Sequence, residues 1–282
     1  MRSEPDAPSV DWIMTLFIVQ YGLVRQTTGP EVRTPWPGPR AGSGRQGPAG
    51  ARGCGCAPSP ASYLCLRNEA RFDFLAGDVV NSNGKRISRT EFKDYLHYVQ
   101  IPHSHGEGYR FSDTDEDYLV GALARLNLNR DVLHPRTRAD TEPYLSAFPS
   151  NNVYHNNLAQ AIEVLQCVDE AIDILGTIRI ADDEPVRRPA HAGAGMGVIE
   201  APRGLLYHMA RVDEEGVVED YDVIVPTAQN QINIESDLRD YFSRNLHRGE
   251  DALRMNAESI IRAYDPCMSC ATNFLKIDWI RE

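Results

Sequence analysis

The chain has 282 residues, 42% of them apolar and 24% charged, and 29 Lys+Arg against 40 Asp+Glu give it a formal charge of −11. That length allows one large domain or two modest ones. The composition excludes wholesale disorder and a polytopic membrane protein, and the acidic balance excludes a protein that tracks nucleic-acid phosphates, which requires clustered cations.

In chain order, the first apolar run is Trp12–Val24. It is interrupted by Gln20 and falls short of the ~20 residues needed to cross a bilayer, so no membrane span is expected. Glu4, Asp6 and Asp11 around a lone Arg2 do not make the basic start of a secretory signal. Six cysteines, unevenly spread, are too few for a disulfide scaffold. A reducing, cytoplasmic setting is therefore expected. From Gln26 to Ser62, 15 of 37 residues are Gly or Pro. Such text cannot bury enough apolar surface to offset its ordering entropy. Residues 1–71 carry net +3, and the remainder −14. We expect a disordered Gly/Pro/Arg-rich segment over 1–71 and a domain over 72–282.

Phe72–Ile87 reads as a hairpin turning at Asn83-Gly84. Ser88-x-x-Glu91 is a capping box that predicts a helix to about Val99. Asp113–Leu126 is predicted as a second helix, and Asn156–Thr177 as a third, with Leu158, Ile162, Leu165, Val168, Ile172 and Leu175 on one buried stripe and Cys167 beside it as a small core residue. Gly193–Val225 gives three strands with a solvated turn at Asp213–Gly216, and Gly193, Gly195 and Gly197 suggest a close backbone crossing. Ile232–Asn245 and Asp251–Tyr264 are predicted helices. The fold class is α+β: a mostly helical core with a small antiparallel sheet.

The sharpest chemical signal is Asp265-Pro266-Cys267-Met268-Ser269-Cys270. Two cysteines at this spacing at a helix start place both sulfurs on one side, and the free N–H groups there favour thiolate. Thiolates suit nickel, iron, copper(I) or zinc. A redox dithiol, half of a zinc site or two buried core cysteines fit the same spacing; Asp265 alone would read as a helix N-cap. Cys54-Gly55-Cys56 has the wrong spacing for a partner pair. His103 and His105 alternate in a glycine-containing loop, and His208 follows the Glu200–Gly204 run on a strand.

Three features occur together: Glu200-Ala-Pro-Arg-Gly204, a Val-Pro226-Thr227 turn and the terminal Asp265-Pro-Cys-x-x-Cys270. Jointly they resemble the large (α) subunit of nickel–iron hydrogenases over about residues 72–282. The stretches GALARLNLN (121–129) and SCATNFLK (269–276) are similar to the cytoplasmic, cofactor-coupled branch of that family. The resemblance implies a hydrogenase large-subunit-like fold and reversible H2 oxidation. It implies a nickel and an iron, the iron carrying CO and cyanide. Cys267 would be a terminal nickel ligand and Cys270 a bridging one. Arg203 would sit over the metals, paired with Asp265, while Pro202, Pro226 and Thr227 shape the pocket, Thr227 donating to cyanide. A magnesium site would use a carbonyl near Val223 and the position of Asn273. Implied partners are a small subunit with iron–sulfur clusters, diaphorase-type electron-transfer subunits passing electrons to a nicotinamide-type acceptor, and a maturation protease.

Two departures stand out. The family's N-terminal Cys-x-x-Cys has no counterpart here, and Asn273 replaces the histidine three residues after the last cysteine. Asn offers a carbonyl oxygen but no imidazole. The expectation is a truncated or rearranged large-subunit domain. The alternatives are an inactive remnant or assembly protein keeping the fold, and a Cys-x-x-Cys thiol oxidoreductase. The last needs a strand before the motif, where Ile260–Tyr264 reads as helix.

Overall fold

The computed structural model describes residues 62–101, 107–179 and 190–267. β1 (Ser62–Arg67) lies inside a four-stranded sheet of order β3-β2-β1-β6. β2 (Asp78–Asn81) and β3 (Arg86–Ile87) form the expected hairpin around Asn83-Gly84, where Gly84 takes φ 82°. β6 (Tyr118–Leu119) runs parallel to β1. Leu64, Cys65 and Leu66 of β1 are wholly buried. The segment expected to be disordered to residue 71 therefore contributes an inner strand. The apolar run Tyr-Leu-Cys-Leu was masked by the Gly/Pro-rich text before it.

β4 (Leu96–Gln100) pairs antiparallel with β5 (Glu107–Phe111). This corrects the helix expected from Ser88 to Val99. The Ser88 end makes only a turn, with Glu91 N–H bonded to the Ser88 carbonyl at 2.9 Å. Strand pairing and the packing of Tyr95 on Phe111 (centroids 4.9 Å apart) outweigh the local capping signal. The helix expected from Asp113 starts only at Ala122. Tyr118-Leu119 is taken up by β1, and Gly121 at φ 116° precedes the first helical residue.

Five helices follow: α1 (Ala122–Asn129), α2 (Pro135–Leu145), α3 (His155–Thr177), α4 (Pro226–Asn245) and α5 (Glu250–Ala263). α1 is buried on nearly every side and is the hub of the helical core, where Leu123 and Leu126 meet Ile162, Tyr241 and Ile260. A second core joins Leu64, Leu66, Phe92 and Phe111 to Val198 and Leu205. The stripe on α3 is buried only at its N-terminal end, around Ile162 and Leu165. Val168, Ile172 and Leu175 are 47%, 51% and 73% exposed, and Cys167 is exposed too, against expectation. No described element covers that end.

β7 (Gly193–Ala201), β8 (Gly204–Val212) and β9 (Val218–Ile224) form the expected antiparallel sheet, with Gly216 at φ 81° in the Asp213 turn. A Cβ added at Gly193, Gly195 or Gly197 would meet nothing within 4 Å. These glycines mark no close crossing; they are exposed strand residues. The described part is α+β, with three small sheets in place of one. No described helix is long and apolar enough to cross a membrane.

Candidate metal centre

The β7–β8 hairpin closes at the pair Ala201–Gly204, so Pro202 and Arg203 are its two-residue connection. Gly204 takes φ 132°, and a Cβ there would lie 2.5 Å from Val120 Cγ2. A Cβ on Gly121 would lie 3.0 Å from the Arg203 carbonyl oxygen. The two glycines let the turn press on the start of α1.

From the other side comes the end of α5. Asp265 follows the helix at φ 51°, in the left-handed conformation that Asp tolerates better than most residues. Its N–H bonds the Arg262 carbonyl at 3.0 Å, and Pro266 cannot continue the helix. Asp265 thus closes a helix C-terminus; whether it also caps a helix opening at the cysteines lies outside the described residues. Arg203 Nε donates to the Asp265 carbonyl at 2.6 Å and Nη2 to its Oδ1 at 3.1 Å. Gln160 Nε2 of α3 donates to Oδ2 at 2.9 Å. With Arg203 38% and Asp265 22% exposed, this ion pair adds little stability; its consequence is orientation. Neither Nη1 nor the second N–H of Nη2 is used by Asp265, so donors remain for an anionic or polarised ligand.

A third arm is the start of α4, where Pro226 occupies the first turn and Thr227 is buried. Thr227 Oγ1 accepts the Cys267 N–H at 3.0 Å. Thr227 thus accepts a hydrogen bond from the backbone, which leaves its own O–H as a donor. Asp265 and Cys267 are two residues apart, within about 7 Å along any chain. Arg203, Asp265, Thr227 and Cys267 therefore share one place. The Cys267 sulfur is in a disulfide whose other cysteine lies outside the described residues. Cys270, Asn273, His103 and His105 lie outside them as well. Val223 sits on β9 in register with His208. His208 Nδ1 contacts the Tyr221 hydroxyl at 2.5 Å across the strands. No group of three or more His, Cys, Asp or Glu is assembled among the described residues; the expected magnesium set, which uses Asn273, lies partly outside them.

Several side chains that frame the cleft gave no signal in the hydropathy pattern. Asn156 Oδ1 accepts the Leu123 N–H at the start of α1, and its Nδ2 donates to the Ala263 carbonyl at the end of α5, both at 3.0 Å. Asn230 accepts from Val120 N–H and donates to Val120 carbonyl, each at 3.0 Å, as a neighbouring strand would. These two residues line a cleft with Gly121, Leu123, Arg203 and Tyr264. Only the density of amides in Gln229-Asn-Gln-Ile-Asn233 hinted at it.

Tyr264 donates to Asp237 Oδ2 at 2.7 Å. Burial pushes the Asp237 carboxyl up, and the Tyr264 hydrogen bond offsets part of that rise. A raised folded-state value means an ionised-state penalty that is present above it and relieved as pH falls towards the ordinary carboxylate range. Asp237→Asn is therefore expected to be more stable than wild type to urea at pH 7, with the gap closing below about pH 4. A gap that widens on acidification would contradict this.

Residues 150–273 match the family model of nickel-dependent hydrogenases. The C-terminal part of the chain is thus similar to nickel-dependent hydrogenases. Among curated relatives, sulfhydrogenase 1 subunit alpha of Pyrococcus furiosus is 28% identical over 77% of this chain and 51% of its own length. Sulfhydrogenase 2 subunit alpha of the same organism is 33% identical over 74% and 50%. The NAD-reducing hydrogenase HoxS subunit beta of Cupriavidus necator is 30% identical over 77% and 48%. The chain spans about half the length of these relatives. In fold it is similar to a chain of an NAD+-reducing [NiFe]-hydrogenase crystallised in the H2-reduced state, with TM-score 0.64 at 22% identity, covering 94% of this chain and 57% of that one.

Proposed function

We propose that the protein is the large subunit of a nickel–iron hydrogenase and that it catalyses reversible oxidation of H2, with electrons leaving through an iron–sulfur small subunit towards a nicotinamide-type acceptor. The observation that carries this reading is the convergence of Arg203, Thr227 and the Asp265–Cys267 segment from three distant parts of the chain. The donor chemistry fits the metals, since Cys267 is a soft ligand in its reduced form. Cys267 and Cys270 would hold nickel and iron, which when bound supply redox chemistry and a Lewis-acidic position for H2.

The chain's own residues then have definite work. Asp265 clamps one edge of the Arg203 guanidinium, so its remaining N–H groups present a fixed positive face to the cleft. Thr227 anchors the Cys267 backbone, which limits where the sulfur can go. Reduced to the thiolate, Cys267 would accept a proton from the substrate.

The test is to produce the full chain with a hydrogenase small subunit and the maturation apparatus. The infrared spectrum and H2-dependent dye reduction are then recorded. Bands of metal-bound CO together with dye reduction are expected. A folded, soluble complex with neither would favour the alternative of an assembly protein that keeps the fold.

A further inference from the structure

Arg125 of α1 is fully buried, and no part of the scheme above uses it. A guanidinium has five N–H donors. Here every one has an acceptor. Nε and Nη2 form a fork onto Glu163, at 2.6 and 2.7 Å, and Nη1 donates to Glu200 Oε2 at 2.6 Å. The two remaining N–H groups go to consecutive backbone carbonyls, Nη1 to Ala201 at 3.1 Å and Nη2 to Pro202 at 2.9 Å. Those carbonyls immediately precede Arg203.

Two carboxylates more than neutralise one guanidinium, and buried ion networks are poor sources of net stability. The carbonyl contacts therefore call for a separate explanation. Glu200 is itself anchored, since its Oε1 accepts the Leu66 N–H of β1 at 2.7 Å. Opposite, Gly204 lies against Val120 and Gly121. The turn is gripped between the guanidinium on one side and the start of α1 on the other. We propose that Arg125 is a positioning residue: by holding the Ala201 and Pro202 carbonyls it sets the Pro202–Arg203 turn and so fixes the Arg203 guanidinium against Asp265 at the cleft. The proposal rests on the role given to Arg203, but its test reads geometry without metal, so the two can fail separately.

The test is hydrogen exchange on the metal-free full chain with Arg125→Lys, which keeps the charge but has only three donors and no planar fork. The Arg203 Nε–H is expected to exchange at least about tenfold faster and its resonance to shift, while amides of β4 and β5 stay unchanged. Ile162→Ala, a core truncation in the same helical cluster that touches neither carbonyl, serves as the stability control and is expected to leave Arg203 Nε–H protected. An unchanged Arg203 signal in Arg125→Lys, or equal acceleration in Ile162→Ala, would overturn the proposal. Should the Lys variant not fold, wild-type protein decides: couplings across hydrogen bonds from Arg125 Nη to the Ala201 and Pro202 carbonyl carbons are expected, and their absence together with freely rotating Arg125 Nη groups overturns it.

Discussion

Gly204→Ala is expected to destabilise the protein by roughly 2–5 kcal/mol, the sum of a left-handed backbone forced on an L-residue and an overpacked contact. The φ of 132° is open to glycine and strained for alanine, and the added Cβ would lie 2.5 Å from Val120 Cγ2 and 2.9 Å from Gly121 N. The side chain can yield, whereas the backbone nitrogen cannot without moving the start of α1. Val120→Ala in the same chain should therefore recover only part of the loss. Urea denaturation of the single and double variants measures both effects. Because Arg203 is the preceding residue, loss of the protected Arg203 Nε–H should accompany the loss of stability. Wild-type stability in Gly204→Ala would show that the turn does not press on α1 as described.

Glu200→Ala has the other large expected effect, about 3–5 kcal/mol, the usual cost of removing one partner from a buried charged network. Glu200 is wholly buried, and two donors depend on it, Arg125 Nη1 and the Leu66 N–H. Alanine leaves both without an acceptor in a place water does not reach. Glu200→Gln should be milder, since an amide oxygen can still serve one of them. An alanine variant no worse than the glutamine variant would contradict the assignment of both hydrogen bonds.

What the sequence revealed follows the range of the forces involved. The β7–β9 sheet was legible because its strand pattern and its turn at Asp213–Gly216 are local. α3 to α5 were legible from helical periodicity. The stretches misread as helix, Ser88–Val99 and Asp113–Gly121, carry local helix signals that long-range strand pairing overrules. β1 was missed for the opposite reason, since its short apolar run follows Gly/Pro-rich text and gains meaning only when β2 and β6 flank it. At the site, Arg203, Asp265, Thr227 and Cys267 could be named from their motifs. The residues that hold them could not: Asn156, Gln160 and Asn230 act by bonding backbone or side chains far away in sequence, and no periodicity encodes that. Arg125 lay inside a leucine-rich helix that reads simply as core. The exposed stripe on the second half of α3 shows the converse limit, because apolar spacing marks a face suited to burial but not whether a described element covers it.

The most direct test of the central claim is metal content. The full chain, produced with the maturation apparatus and purified under reducing, oxygen-free conditions, should contain nickel and iron in equal amounts. Cys267→Ser should lose the nickel while its circular dichroism and melting curve stay near those of wild type, since Cys267 lies beyond the end of α5 and outside both apolar cores. A well-folded wild-type chain with no nickel, or nickel retained in full by the serine variant, would contradict the account.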